Sequence, residues 1–124
     1  MAGELILIVE DNEKNRKLAR DVLQAKGYQT IEAETGEDGV RLAKERHPAL
    51  VLMDIQLPGI NGITALGQLR ADAATRAIPV IAVTASAMTQ DRQKIMAAGF
   101  DGYQSKPIRL KEFLGAVREM LDRK

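Results

Sequence analysis

Three carboxylates follow two short apolar segments of this chain. Glu10 and Asp11 come directly after the run LILIV (5–9), and Asp54 follows LVLM (50–53). Two like charges about 4 Å apart repel by about 4 kcal/mol at an effective dielectric constant near 20, so such a group requires a cation or a raised pKa. Oxygen ligands with open coordination positions suit Mg²⁺, which keeps several waters and is completed by phosphate oxygens. We therefore expect a magnesium site formed by Glu10, Asp11 and Asp54.

Two further polar residues follow apolar or short strand-like segments. Thr84 comes after VIAV (80–83), and Lys106 comes after YQS (103–105). A carboxylate is ionised at neutral pH and forms an acyl phosphate without a general base. Catalysis of phosphoryl transfer is mostly positioning and electrostatic stabilisation. We predict that Asp54 is the nucleophile, that Lys106 pairs with a phosphoryl oxygen, and that Thr84 donates its hydroxyl.

Taken singly, each of these residues has an ordinary explanation. An acidic residue at a strand end is commonly a turn former or a helix cap, and a lysine before proline is commonly part of a turn. The lone histidine, His47, lies in a loop predicted at the opposite end of the sheet, and we interpret it as a surface residue. The convergence of four segment ends is what favours a site.

The elements that position these residues follow from hydrophobic periodicity. Runs of four to six apolar residues alternate with stretches of helical period, which is typical of a parallel α/β sheet covered on both faces. We predict strands near 5–9, 29–33, 50–54, 80–84 and 102–105, and helices near 13–26, 36–46, 62–71, 88–98 and 108–122. In such a sheet the ligand crevice lies beyond the carboxyl ends of the strands.

Local signals mark several helix ends. Gly27 and Gly99 are predicted to end helices in the left-handed conformation, and Thr35 is predicted to cap a helix start three residues before Asp38. One apolar stripe of the last helix is predicted to be core and consists of Leu110, Phe113, Leu114, Val117 and Leu121.

Composition excludes several classes of function. The 124 residues carry 18 basic and 17 acidic side chains, a net charge of +1, which disfavours nucleic acid and anionic membranes as partners. Aromatic residues are only 3%, too few for a base-stacking surface. Cysteine is absent, which suits a cytoplasmic location, and no signal peptide or membrane span is evident. Without linkers or repeats, we expect residues 1–124 to form one domain with no output domain.

The chain resembles the receiver domains of two-component response regulators. The resemblance covers essentially the whole chain and rests on four ordered blocks: Val9-Glu10-Asp11-Asn12 with Asn15, Met53 to Gly59 with Gly62, Val83-Thr84-Ala85, and Lys106-Pro107-Ile108. It implies a doubly wound, flavodoxin-like (βα)5 fold with five parallel strands in the order 2-1-3-4-5. The sequence around residues 53–62 and 83–88 looks most like that of the stand-alone receivers of the DivK type. Receivers attached to hybrid histidine kinases have similar sequences.

The resemblance also implies roles for individual residues. Asp54 matches the phosphoacceptor, which takes its phosphoryl group from a histidine kinase or a histidine phosphotransfer protein. Asp11 and Asp54 match direct Mg²⁺ ligands, Glu10 acts largely through water, and the backbone carbonyl of Gln56 completes the set. Lys106 matches the phosphate-binding lysine, and its peptide bond to the following proline is typically cis in the family.

A switch and two protein contacts are implied in the same way. Thr84 and Tyr103 match the switch pair, in which the hydroxyl moves onto the phosphoryl group and the aromatic ring turns inward. The readout surface toward a downstream protein would be residues 86–122. Asn15 and Arg16 match positions that dock the phosphohistidine donor. Gln56 and Ser86 match positions that tune dephosphorylation, in a direction the sequence leaves open.

Three alternatives remain beside this interpretation. A Mg²⁺-dependent phosphohydrolase that uses an aspartyl phosphate generally has a second aspartate two residues after the nucleophile, where this chain has Gln56. A flavin-binding module of the same topology is disfavoured because the first loop (10–13) is acidic. A phosphate sink or relay intermediate, including a receiver excised from a hybrid histidine kinase, is not separated from an allosteric effector by the sequence.

Overall fold

The computed structural model describes residues 3–85, 89–106 and 108–122. The predictions on Ser86 and on the Lys106–Pro107 peptide bond lie outside these residues. Within them, five strands alternate with five helices along the chain. The strands are β1 (Leu5–Val9), β2 (Gln29–Ala33), β3 (Leu50–Asp54), β4 (Val80–Thr84) and β5 (Gly102–Ser105). The helices are α1 (Glu13–Ala25), α2 (Gly36–Arg46), α3 (Gly62–Ala71), α4 (Thr89–Ala97) and α5 (Leu110–Asp122).

All strand pairs are parallel, and the sheet has the order β2-β1-β3-β4-β5. This confirms the predicted doubly wound fold. The chain reverses its direction of travel across the sheet between β1 and β3, and this switch point is where such folds form a crevice. Val9 pairs with Met53 in the register of these two strands, so Glu10 and Asp54 follow at the same level.

The central strands are apolar throughout because helices cover both faces of the sheet. Every residue of β3 and β4 is buried, including the terminal Asp54 and Thr84. Alternate residues of β1 enter opposite halves of the core: Leu7 packs on one side of the sheet, and Ile6 packs on the other. The strand ends that hold the polar residues are therefore set in a packed, two-sided core.

The predicted helix ends are confirmed. Thr35 accepts a hydrogen bond from the backbone N–H of Asp38 at 3.1 Å and caps α2. Gly27 and Gly99 follow α1 and α4 with φ of 89° and 111°, backbone angles that residues with a Cβ rarely adopt. The side chain of Asn12 caps α1 by accepting from the N–H of Asn15 at 3.0 Å.

One core prediction for α5 is wrong. Leu110 is 58% exposed, whereas Phe113 and Val117 are fully buried. The helix begins at Leu110, two residues later than predicted, and its apolar stripe reaches the sheet only after the first turn. Met120, which the predicted stripe omitted, is buried in the same half of the core.

Candidate functional site

The carboxyl ends of β1 and β3 bring the three predicted carboxylates together. Glu10, Asp11 and Asp54 each offer one carboxylate oxygen, and these oxygens all lie within 4.8 Å of one another. Glu10 and Asp54 are 5% and 4% exposed, whereas Asp11 is exposed. The cluster therefore has two buried carboxylates and one that faces solvent.

Lys106 lies between the two buried carboxylates. Its Nζ is 2.6 Å from Oε1 of Glu10 and 3.0 Å from Oδ2 of Asp54. Its backbone N–H donates to the carbonyl of Thr84 at 2.8 Å, which joins the ends of β4 and β5. Burial lowers the pKa of Lys106, but the hydrogen bonds to Glu10 and Asp54 outweigh burial, so the pKa lies above its ordinary value. Lys106 is therefore a permanent cation in the site.

Glu10 has a strongly shifted pKa. Burial is the main cause and raises the pKa of Glu10 from 4.5 to about 7, while Lys106 opposes the shift and Asp54 adds to it. The charge of this carboxyl therefore changes near neutral pH. A cation that binds beside Glu10 would favour its ionised form and displace the proton.

Each buried carboxylate is held at both of its oxygens in the same way. Oε2 of Glu10 accepts from the backbone N–H of Asn12 at 3.1 Å, and Oδ1 of Asp54 accepts from the N–H of Gln56 at 3.2 Å. The second oxygen of each carboxylate contacts Lys106. The contribution of Asn12 was not predicted, although a side-chain bond to the N–H two residues later is a common turn signature.

Gly62 fixes the loop that follows Asp54. A Cβ at Gly62 would overlap the backbone carbonyl of Asp54 and lie 2.9 Å from Cα of Ile55. The N–H of Gly62 donates to the carbonyl of Ile55 at 2.9 Å, so the loop 55–61 closes back on the end of β3. Gln56 lies exposed in this loop, and its role as a carbonyl ligand stays a prediction.

The predicted switch residues lie on neighbouring strands. Thr84 is 2% exposed at the end of β4, and Tyr103 is half-buried in β5, where it pairs with Ala82. The guanidinium of Arg92 from α4 lies 5.3 Å from the centre of the Tyr103 ring, within cation–π distance. The proposed movement of the two side chains stays a prediction.

The predicted docking residues lie at the start of α1. Asn15 is half-buried and lines, with Glu10 and Asp54, a cavity of about 20 Å³, which is room for about one water. The side chain of Arg16 is only 15% exposed and bonds to groups within the chain. Docking of a donor by these residues stays a prediction.

The arrangement can hold a divalent cation and present a reactive carboxylate beside it. Three carboxylates face one ammonium, so the cluster has an excess of negative charge. All donors on the acidic side are oxygens, the ligand type that Mg²⁺ prefers. The donor set therefore fits Mg²⁺. Lys106 lies beside Asp54, where its ammonium could pair with a bound anion.

Curated relatives match nearly the whole length of the chain. The polar-differentiation response regulator DivK of Brucella ovis is 47% identical over 116 residues, which cover 94% of both chains. The protein of the same name from Brucella anthropi is 46% identical over the same length.

Solved structures agree with the fold throughout. The receiver domain of a sensor histidine kinase from Pseudomonas aeruginosa, which has a magnesium ion coordinated in its active-site cleft, is 33% identical with a TM-score of 0.91. The similarity covers 98% of this chain and 99% of that one. A CheY-like receiver domain protein from Methanospirillum hungatei is 27% identical with a TM-score of 0.88, over 98% and 96% of the two chains.

The match to a family model spans most of the chain. Residues 6–118 match the family described as the response regulator receiver domain. The matched range includes β2 to β5, all of β1 except Leu5, and both buried carboxylates of the site. This chain belongs to the family of response regulator receiver domains.

Proposed function

We propose that this chain is a single-domain response regulator that accepts a phosphoryl group on Asp54 with the help of Mg²⁺. The observation that carries the proposal is the position of Lys106, whose Nζ is 3.0 Å from Asp54 and 2.6 Å from Glu10. Asp54 thus lies between a cation and an acidic cluster. The DivK relatives, which are response regulators that match over 94% of both chains, support the assignment as a response regulator.

Glu10, Asp11, Asp54 and the backbone carbonyl of Gln56 would hold the metal. Bound there, Mg²⁺ would supply positive charge to the phosphoryl oxygens as the group transfers. The hydrogen bonds from Asn12 and Gln56 orient the two buried carboxylates before any ligand arrives. Their fixed orientation reduces the reorganisation that binding requires.

The transfer step uses the ionised carboxylate of Asp54. One of its oxygens forms a bond to phosphorus while the bond from phosphorus to the donor imidazole nitrogen breaks, and that nitrogen retains the electron pair. Lys106 stays protonated because its hydrogen bonds raise its pKa, and it pairs with a phosphoryl oxygen of the product. The domain thereby promotes its own phosphorylation and dephosphorylation, and it does not turn over an external substrate as an enzyme does.

The response is a population shift driven by the new charge. A phosphoryl group of charge near −2 favours the arrangement in which the hydroxyl of Thr84 moves toward it and Tyr103 turns inward. Converting a 1:99 equilibrium into 99:1 requires about 5.5 kcal/mol. Two charge-assisted contacts at about 1.5–3 kcal/mol each supply half or more of this. The segment 86–122 would then present a changed surface to a downstream protein.

The donor in this proposal is a phosphohistidine of a histidine kinase or a histidine phosphotransfer protein, docked against α1 at Asn15 and Arg16. In the described part of the chain no helix is long and apolar enough to span a membrane. We place the protein in the cytoplasm, in keeping with the absence of cysteine.

A second candidate is a relay intermediate or phosphate sink, as in a receiver that belongs to a hybrid histidine kinase. The similarity to the receiver of a sensor histidine kinase from Pseudomonas aeruginosa favours it. Phosphate-dependent binding of a downstream protein would distinguish the effector from the carrier. A carrier would bind its donors with similar affinity in both states.

The test is phosphorylation by a small-molecule acyl phosphate, with Mg²⁺ or with a chelator, followed by intact mass. Wild type should gain one Mg²⁺-dependent phosphoryl adduct that survives acid and is lost in base. Asp54→Asn should gain none while it still unfolds cooperatively from an intact fold, and the control Asp72→Asn, at the end of α3, should behave as wild type. An unchanged adduct in Asp54→Asn would remove Asp54 from the role.

A further inference from the structure

We propose that Arg16 is a positioning residue that clamps the acidic loop, residues 10–12, in the conformation that Mg²⁺ requires. The inference deepens the proposed function and rests on it. Arg16 lies in the first turns of α1, outside the carboxylate cluster, and its guanidinium faces the backbone of that loop.

The side chain of Arg16 contacts the carbonyl oxygens of two successive residues of the acidic loop. Its Nη1 donates to the carbonyl of Glu10 at 3.0 Å and lies 3.5 Å from the carbonyl of Asp11. The carbonyl of Asn12 accepts the ordinary helical bond from the backbone N–H of residue 16 at 2.9 Å, which substitution of the side chain retains. Because a peptide unit is planar, fixing successive carbonyls fixes the orientation of the whole loop backbone.

The guanidinium is itself anchored on β2. Nε of Arg16 donates to Oε1 of Glu32 at 3.1 Å, and Nη1 lies 3.7 Å from Oε1 of Glu34. The N–H of Glu10 donates to the carbonyl of Ala33 at 3.0 Å, which extends the pairing of β1 with β2 by one residue. Glu10 is therefore held at its N–H by β2 and at its carbonyl by Arg16.

Lysine could not replace Arg16 in this arrangement. The planar guanidinium fork reaches a carbonyl with Nη1 and a carboxylate with Nε at fixed angles, whereas an ammonium is a single point of charge. Glu32 and Glu34 also balance the positive charge of Arg16, which limits its repulsion of a cation bound by the acidic cluster.

Arg20 is a natural control for the loop contacts. Its Nη1 lies 3.3 Å and 3.2 Å from the two carboxylate oxygens of Glu32, so it shares the anchor of Arg16. Its other charged contact, within the described residues, is with Asp21. Removal of Arg20 therefore weakens the anchor while the contacts of Arg16 with the loop carbonyls remain.

The test is Mg²⁺ affinity, measured from amide resonances during titration of the metal-free protein. Groups that orient metal ligands typically contribute about 10- to 100-fold to affinity. We expect Arg16→Gln and Arg16→Lys each to raise the Mg²⁺ dissociation constant by about tenfold or more. Arg20→Gln should stay within about twofold of wild type, since the loop contacts remain.

Hydrogen exchange of the Asn12 amide in the metal-free protein is the second readout. This amide donates to Oε2 of Glu10, and it should exchange faster in Arg16→Gln while amides of β4 keep their wild-type rates. Wild-type Mg²⁺ affinity in both Arg16 variants, or an equal loss of affinity in Arg20→Gln, would overturn the inference about Arg16 and leave the proposed magnesium site standing. A wild-type chain that takes up no Mg²⁺ would overturn the proposed magnesium site and the inference with it.

Discussion

The two ends of the sheet carry charged residues in different proportions. At the carboxyl end, Glu10, Asp11 and Asp54 lie beside one cation among the described residues, Lys106. At the amino end, arginines supply several donors each, and carboxylates and carbonyls accept them within the chain.

Arg70 closes the amino end beneath β4 and β5. Its guanidinium donates to the carbonyl of Ile78 and to Oδ2 of Asp101, each at 2.7 Å, and to the carbonyl of Arg76 at 2.9 Å. The same oxygen of Asp101 accepts from the N–H of Val80 at 2.8 Å, so the starts of two strands are joined.

Arg118 likewise joins elements of the fold at the amino end of the sheet, beneath β1. It donates to Glu4 at 3.0 Å and to Asp122 at 2.8 Å, and its guanidinium lies 5.9 Å from the centre of the Tyr28 ring. We call the charges at this end matched because each of its carboxylates, Glu4, Asp101 and Asp122, contacts an arginine, although Oε1 of Glu4 is buried without a hydrogen bond to any described residue. The comparison indicates that matched charges join elements of the fold, and it leads us to predict that the unmatched carboxylates of the other end bind a cation.

The largest expected difference concerns one exposed carboxylate from each end. Asp11→Asn removes charge from the unmatched cluster, and we expect it to lower Mg²⁺-dependent phosphorylation by acyl phosphate more than about tenfold, since even outer groups of metal sites contribute that much. Asp122→Asn removes a matched charge and should leave the rate unchanged. Initial rates of adduct formation by intact mass measure both. Equal losses in the two variants would break the comparison.

The second largest expected difference is in stability, between a variant that loses a lysine from a buried ion pair and one that loses a lysine from an exposed ion pair. Lys106→Ala leaves Glu10 and Asp54 buried without their cation, and we expect the free energy of unfolding to fall by about 1–3 kcal/mol in metal-free buffer, because buried acceptors lose their donor. Lys17→Ala breaks an exposed pair with Asp21, in which Nζ and Oδ2 are 2.7 Å apart, and it should cost clearly less because solvent screens exposed pairs.

Urea unfolding of the two lysine variants measures this difference. Mg²⁺ should restore part of the stability of Lys106→Ala, because the metal replaces the missing charge, and should not affect Lys17→Ala relative to wild type. If both variants lose the same free energy of unfolding, burial does not make the Lys106 pairs more important for stability than the exposed Lys17–Asp21 pair, and the comparison fails.

The smallest expected effect is a dependence of stability on pH. The pKa of Glu10 is raised to about 7 in the folded chain, so the folded state binds this proton more tightly than the unfolded state does. The resulting stabilisation is fully present below about pH 4.5 and is lost as the pH rises through 7. In chelator, the free energy of unfolding from this group should therefore fall between pH 5 and 8. With Mg²⁺ the trend should reverse, because the metal binds the ionised form.

Glu10→Gln is the control for this titration. It should flatten the dependence in chelator, while Arg118 at the amino end stays charged, since hydrogen bonds to Asp122 and Glu4 raise its pKa above the ordinary value. Denaturation at four pH values tests both statements. A slope that survives in Glu10→Gln would assign the titration to another group.

The strands could be predicted because the parallel sheet is buried on both faces. All five predicted strand ranges match the structure, and the helices differ by at most two residues at their ends. Leu110 was misplaced because periodicity gives the direction of an apolar stripe and does not give where the sheet beneath it begins.

Contacts between distant elements could not be predicted in the same way. The sequence indicated that Glu10 and Asp54 would meet, because strand ends converge, but it gave no sign that Lys106 bridges them at rest. Arg16 was predicted only as a docking residue, because its bond to Glu32 depends on the packing of α1 beside β2. Such partners follow from tertiary geometry, which helical period does not contain.

The most direct test of the difference between the two ends is a Mg²⁺ titration followed by amide chemical shifts of the whole chain. We predict saturable shifts at residues 10–12 and 54–56, with the amides near Glu4, Asp101 and Arg118 unchanged. Saturable binding confined to the carboxyl end would establish that the unmatched carboxylates form the cation site. Shifts at both ends, or none at residues 10–12 and 54–56, would contradict it.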